Sequence, residues 1–246
     1  MSEFLEITTK IGCSVNCLKY CPQEVLLSKY DGPRAMSLDA FKEIIRTVPK
    51  TVEITFSGFC EPFLNPDTAE MIVHAYEEGH GVQLFTTLVG CTYDDYERIK
   101  NVEFSRILLH LPDANGVAKI PITREYCELL PIFLKRWQCQ TVAMNERFPT
   151  NRREDHARTG LPFKPYPISC DKLCERQHVV LPNGNVYQCC YDFGLNDPVG
   201  NLLEDSYQHL KPLKKTRTCR HCDLAMFTPF YLLRGVVVKY LFAGGR

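Results

Sequence analysis

Ile11-Gly12-Cys13-Ser14-Val15-Asn16-Cys17-Leu18-Lys19-Tyr20-Cys21-Pro22-Gln23 sets three cysteines four residues apart. It follows directly on Phe4-Leu5-Glu6-Ile7-Thr8-Thr9, whose apolar residues alternate as in a strand. A strand running into a cysteine-bearing loop lets the thiolates of Cys13, Cys17 and Cys21 fold around one soft metal centre. Three protein ligands on a four-iron cluster leave one iron open to a small molecule. Structural zinc is the plainer alternative, although zinc favours cysteines paired two to four residues apart and completed by a fourth ligand. Buried thiols with no metal are the third reading.

The whole chain narrows these choices. Its 246 residues suffice for one large domain, or for one domain with a small appendage. With 29 basic and 29 acidic residues the net charge is zero, so charge does not suggest a nucleic-acid partner. The one dense basic stretch is Lys211 to Arg220. The amino terminus lacks the basic and apolar regions of a secretory signal, and the apolar runs, Val236-Val237-Val238 among them, fall far short of a transmembrane span. A cytoplasmic location is therefore expected. Thirteen cysteines in that reducing setting point to metal ligation rather than disulfides.

Strands and helices alternate through the first two thirds. Ser37 is placed to cap a helix whose face is Phe41, Ile44, Ile45 and Val48, stopped by Pro49. Strands are expected over Thr51 to Phe56, Val82 to Thr86, Ser105 to Leu111 and Thr141 to Met144. Helices are expected over Asp67 to Glu78, Tyr93 to Lys100 behind Thr92, and Glu125 to Trp137 despite Pro131. Such alternation predicts an α/β fold whose parallel sheet closes wholly or partly into a barrel. Chemistry then belongs at the C-terminal ends of the strands. Cys91, Cys127 and Cys139 are read as small buried apolar groups.

A second loop stands just after the second strand: Ser57-Gly58-Phe59-Cys60-Glu61-Pro62. Glycine lets backbone approach a ligand, and a neighbouring carboxylate accepts hydrogen bonds from an ammonium group. Met alone, this is an ordinary strand-to-helix turn. Together, however, the two loops resemble those of the radical S-adenosylmethionine (SAM) enzymes. That family's cysteine loop is Cys-x3-Cys-x2-Cys with an aromatic residue before the last cysteine; Tyr20 keeps the aromatic, while the second gap here is one residue longer. The second loop resembles the family's Gly-Gly-Glu-Pro segment, which holds the methionine amino group, with Cys60 at a usual glycine position and Leu64-Asn65-Pro66 continuing the likeness. The resemblance implies cofactor contacts from Gly58, Cys60 and Glu61. It extends to Thr86 and Thr87, where the family often has Thr-Asn-Gly, and to His110 and Asn145, near its polar contacts to ribose and adenine. Each of these is also an ordinary polar residue at a strand end.

Composition shifts over Pro149 to Pro167, which is read as the exit from the barrel; the expected division is 1–160 and 161–246. Beyond it lie Cys170, Cys174, Cys189, Cys190, Cys219 and Cys222. Val179 to Gln188 reads as a β-hairpin turning at Asn183-Gly184. A hairpin draws the cysteines at its ends together, and Cys219-x2-Cys222 can complete a four-thiolate site. This order resembles the "twitch" module, a shortened SPASM domain holding one auxiliary iron–sulfur cluster. The first ligand is Cys170 or Cys174, with Cys170 favoured because a strand starting at His178 then has room to turn. Tetrahedral zinc is the rival occupant. Cys190 points away if the strand persists and is not counted as a ligand. The apolar tail, Pro229 to Phe242, is read as a helix packed on the barrel's flank or lying on a membrane surface.

The resemblance thus implies a partial (β/α)6 barrel followed by a small α+β twitch domain. It implies a [4Fe-4S] cluster on Cys13, Cys17 and Cys21, and an auxiliary cluster, [4Fe-4S] in type, on Cys170, Cys189, Cys219 and Cys222. The implied reaction is reductive cleavage of SAM followed by hydrogen abstraction, with a flavodoxin- or ferredoxin-type reductant. Size and layout are most similar to the aminocyclitol dehydrogenases, which implies a sugar- or cyclitol-like alcohol as substrate and assigns Arg158 a polar contact to substrate or SAM carboxylate. Arg158 also reads as a surface residue at the barrel edge. Modification of a ribosomal peptide, by epimerisation or crosslinking, is the second enzymatic reading; a zinc-bearing interaction module without catalysis is the reading from another class.

Overall fold

The structure, a computed structural model, describes residues 3–15, 17, 21–114, 116–143, 163–170, 177–222 and 224–229. Five parallel strands come from the first part of the chain: β1 (Glu3–Ile7), β2 (Val52–Phe56), β3 (Val82–Thr86), β4 (Arg106–Leu111) and β5 (Cys139–Ala143). A short pair, β6 (Ile168–Ser169) and β10 (Met226–Phe227), stands apart from the main sheet. Between them come β7 (Gln177–Val180), β8 (Asn185–Tyr187) and β9 (Pro198–Asn201). The eight-stranded sheet has the order β5-β4-β3-β2-β1-β7-β8-β9. It is parallel from β5 to β7 and antiparallel beyond. This is the mostly parallel α/β sheet expected of a partial barrel.

The sixth parallel strand arrives in an unexpected place. Rather than following β5, β7 adds to the far side of β1, with Leu5 opposite both Ile54 and His178. The hairpin β7–β8 forms around Asn183-Gly184 as its sequence implied. Gly184 has φ +79, and a Cβ there would lie 2.5 Å from Asn201 Oδ1, so the tight turn requires glycine. All four residues of β7 are buried, as suits an internal strand rather than one exposed in a separate small sheet.

The strands are covered by α2 (Leu38–Thr47), α3 (Thr68–Glu77), α4 (Tyr93–Ile99) and α5 (Arg124–Arg136), the crossovers between successive parallel strands. Three of these four starts are written in the sequence. Ser37 accepts from Ala40 N–H, Thr92 and Asp95 form a reciprocal capping box, and Thr123 accepts from Tyr126 N–H. Leu5, Ile7, Ile54, Phe56, Leu84, Ile107 and Leu109 lie in the core with Phe41, Ile44 and Phe133.

Pro131 does lie inside α5. An interior proline costs about 3 kcal/mol, and burial of Leu129 and Phe133, at about 1.5–3 kcal/mol each, offsets it. Two local expectations are corrected. The fifth strand starts at Cys139, which pairs with Ile107, because Trp137 ends α5 with its indole N–H bonded to Val102 O at 2.9 Å. Cys91 is buried, but Cys139 is half-buried and Cys127 is exposed, since α5 turns Tyr126, Leu129 and Phe133 inward instead. Of the tail, only residues up to 229 are described, so the expected helix there lies outside the described residues.

Candidate functional site

The C-terminal ends of the central strands open on a cavity of about 120 Å³. The loop after β1 lines it with Cys13, Val15, Cys17 and Cys21; the loop after β2 with Ser57 to Glu61. Phe85 and Thr87, at the end of β3, and His110, near the end of β4, complete the wall. Residues from four strands thus meet where a parallel sheet puts its chemistry.

The cysteine loop is tied at both ends. Ile11 N–H donates to Arg34 O and Met36 N–H to Thr9 O, each at 2.8 Å. Further on, Cys21 N–H donates to Cys17 O at 3.1 Å, and helix α1 (Gln23–Lys29) begins. Gln23 locks this loop to the next one. Its Nε2 donates to Phe59 O at 2.6 Å and to Cys21 Sγ at 3.1 Å, while its Oε1 accepts Cys13 N–H at 3.4 Å.

The second loop depends on Gly58, which has φ +85. A Cβ at this position would stand 2.2 Å from Thr8 Oγ1, the oxygen that accepts Phe59 N–H at 3.2 Å. Glu61 is 5% exposed and held by four donors: Thr86 Oγ1 at 2.5 Å, Thr87 N–H at 2.7 Å, Thr87 Oγ1 at 2.6 Å and, more weakly, Phe63 N–H at 3.4 Å. Burial pushes its carboxyl up to about 7, the threonine hydrogen bonds pulling against that shift. A cationic ligand beside Glu61 would draw it back to the anion. Thr86 and Thr87 therefore serve the site through Glu61, which they orient.

Cys60 lies between these anchors, and the neighbouring Cys13 thiol together with burial pushes its pKa up. Burial likewise raises Cys21, and it holds His110 down to about 4, so that imidazole is neutral at ordinary pH. No group of three or more His, Cys, Asp or Glu among the described residues is arranged to hold a metal ion. The donor set facing the cavity is nevertheless soft, with four thiols. That chemistry fits a sulfur-ligated cluster.

The second group of cysteines lies elsewhere. Cys189 follows β8, while Cys219 belongs to a short turn, Thr218–His221, with Cys222 next. All three are buried, and Cys219 and Cys222 pack with Ile168. Gln188 Nε2 stands 3.9 Å from Cys219 Sγ and Thr216 Oγ1 3.4 Å from it. Cys170 comes directly after β6, whose Ser169 pairs with Met226, so β6–β10 carries it toward the Cys222 turn. Lys164 Nζ donates to Cys222 O at 2.5 Å and to Ala225 O at 2.7 Å, bracing this turn. Cys190 packs instead on the cluster of Ile11, Leu26, Phe59 and Phe193. The described cysteines are all free thiols.

Of the residues singled out from sequence, Cys13, Cys17, Cys21, Gly58, Cys60, Glu61, Thr87 and His110 meet at the cavity, and Thr86 reaches it through Glu61. Tyr20, Asn145, Arg158 and Cys174 lie outside the described residues. Gln23 and Thr8 were not foreseen. Gln23 carried one signal, its place at the start of a helix immediately after Cys21-Pro22; Thr8 carried none beyond its strand.

Fold and site together define an α/β protein with a thiol-lined cavity at the carboxyl ends of a partial barrel. No family model and no curated protein matches the sequence. Solved structures do share its fold. BtrN in complex with AdoMet and 2-DOIA superposes with a TM-score of 0.61 at 16% identity, over 85% of this chain and 80% of that one. BtrN in an open conformation gives 0.58 at 14% identity, over 91% and 87%. AnSMEcpe with bound AdoMet gives 0.54 at 12% identity, over 89% and 82%. The chain shares its fold with these structures.

Proposed function

We propose that this protein is a radical SAM enzyme that oxidises an alcohol on a sugar- or cyclitol-like substrate. The observation that carries the class is the convergence of Cys13, Cys17 and Cys21 with the braced Glu61 on one cavity at the strand ends. The fold likeness to structures holding AdoMet supports it, and the BtrN complex with 2-DOIA supports the substrate class.

Cys13, Cys17 and Cys21 would hold a [4Fe-4S] cluster at the cavity wall. When bound, that cluster supplies the electron that splits SAM into methionine and a 5′-deoxyadenosyl radical. Glu61 is placed to receive the methionyl ammonium, its orientation set by Thr86 and Thr87. Gly58 lets the chain turn at φ +85 hard against Thr8, which sets Cys60 and Glu61 at the cavity. His110, neutral, can both donate to and accept from a hydroxyl of ribose or substrate. Val15, Phe59 and Phe85 exclude water from the remaining wall.

Residues 161–246 are read as the twitch module, with Cys170, Cys189, Cys219 and Cys222 on an auxiliary cluster. A substrate radical left by hydrogen abstraction must lose one more electron and a proton to become a ketone, and a fully ligated cluster is suited to accept that electron. The external reductant is of flavodoxin or ferredoxin type.

Anaerobic incubation with SAM, dithionite and a panel of sugars, cyclitols and peptides tests the reading. Formation of 5′-deoxyadenosine and a product two mass units lighter than a cyclitol or sugar is the expected result. Colourless, zinc-loaded protein would overturn the enzyme class; a modified peptide would move the substrate to the second reading. Cys189→Ala and Cys222→Ala should still cleave SAM but give little oxidised product. Folded variants with undiminished product would remove the auxiliary cluster from electron transfer.

A further inference from the structure

Four thiols face the cavity, yet the cluster reading uses three. The fourth, Cys60, is held in place from both sides. On one side, Phe59 is fixed by Thr8 at its N–H, by Gln23 at its carbonyl, and by its ring standing 4.7 Å from that of Phe193. On the other, Glu61 is fixed by Thr86 and Thr87. Between two immobilised neighbours, the Cys60 side chain lines the same cavity as Cys13, Cys17 and Cys21. Gln23 holds the two loops together, since it bonds Phe59, Cys21 and Cys13 at once. A thiol that shares one cavity with three candidate cluster ligands, on a loop fixed at both ends, is placed to become a ligand itself.

We propose that Cys60 is the fourth thiolate ligand of the cluster in the SAM-free enzyme and that SAM displaces it. This rests on the radical SAM reading above and adds a second state to it. In the capped state Cys60 closes the coordination shell, so solvent does not occupy the fourth iron. On SAM binding, the bond from iron to Cys60 sulfur would break and one to the methionyl carboxylate oxygen would form, while the ammonium group stays with Glu61. The departing thiolate would take its proton from solvent, and no electron is transferred. Because SAM binds only the uncapped form, its apparent affinity is reduced by the uncapped fraction. If Cys60 caps about nine tenths of the clusters, removing it tightens SAM binding about tenfold.

The test uses reconstituted wild-type protein, Cys60→Ala and Cys60→Ser, with Mössbauer spectra of iron-57 recorded with and without SAM and SAM affinity from equilibrium dialysis. The auxiliary contribution is common to all three proteins and cancels in the differences. In SAM-free wild type every iron should show a thiolate environment. Both variants should convert one iron of the first cluster to an oxygen or nitrogen environment, and the SAM-bound spectra of all three should coincide. Cys60→Ala should bind SAM more tightly than wild type. SAM-free spectra identical in wild type and variants, with the first cluster present, would overturn the capping role alone. Absence of that cluster from wild type would overturn both capping and the radical SAM reading.

Discussion

Replacing Gly58 with alanine should loosen the whole cofactor loop, and the structure indicates by how much. Alanine at φ +85 pays the left-handed penalty of about 1–2 kcal/mol. Its Cβ would also fall 2.2 Å from Thr8 Oγ1 and 3.3 Å from Thr8 Cβ. Thr8 is fully buried, so its hydroxyl can move aside only by releasing Phe59 N–H, a loss of about 1–3 kcal/mol for a buried donor left unpaired. The expected destabilisation is therefore about 2–5 kcal/mol. Urea unfolding of Gly58→Ala, Thr8→Ala and the double variant separates the terms. Thr8→Ala alone loses the acceptor for Phe59 N–H; the double variant loses it only once, and the clash with oxygen is gone. Its cost should fall about 1–3 kcal/mol short of the sum of the single variants. Strict additivity, or a Gly58→Ala protein within about 0.5 kcal/mol of wild type, would refute the account of this turn.

Glu61→Gln should weaken SAM binding about tenfold to a hundredfold in equilibrium dialysis, because a charged hydrogen bond to the ammonium, at about 1.5–3 kcal/mol, is lost. Asn65→Ala should destabilise the fold by about 2–4 kcal/mol in urea, since Asn65 Nδ2 serves both Thr9 O at 2.9 Å and Met36 O at 2.8 Å inside the core. His178 is held down to about 4 by burial, against an ordinary value of 6.5. The unfolded chain therefore binds the extra proton first, and stability should fall as pH drops from about 6.5 to about 4, by up to about 3 kcal/mol. His178→Gln should flatten that slope in denaturation curves taken at pH 7 and pH 5; an unchanged slope would show that the ring charges without penalty.

Local signals in the sequence sufficed for the elements and for the two loops that matter. Ser37, Thr92 and Thr123 cap the helices they precede, the β-branched and aliphatic runs become β2, β3 and β4, and Asn183-Gly184 turns the hairpin. Each depends on residues a few positions apart, where the chain's own geometry decides the outcome. The cysteine loop and Gly58-Phe59-Cys60-Glu61 were legible for the same reason, since their chemistry is packed into short stretches. Only the tertiary structure seated β7 against β1, because a buried strand's pattern does not name its neighbour. It alone paired Glu61 with Thr86 and Thr87, 25 and 26 residues away. It also brought Gln23 to Phe59 and set the Cys60 thiol against that of Cys13. A carboxylate, an amide or a thiol carries the same label in sequence whatever it faces. Its partner is chosen when parallel strands place their carboxyl ends side by side, and that choice is made by the burial of the sheet as a whole.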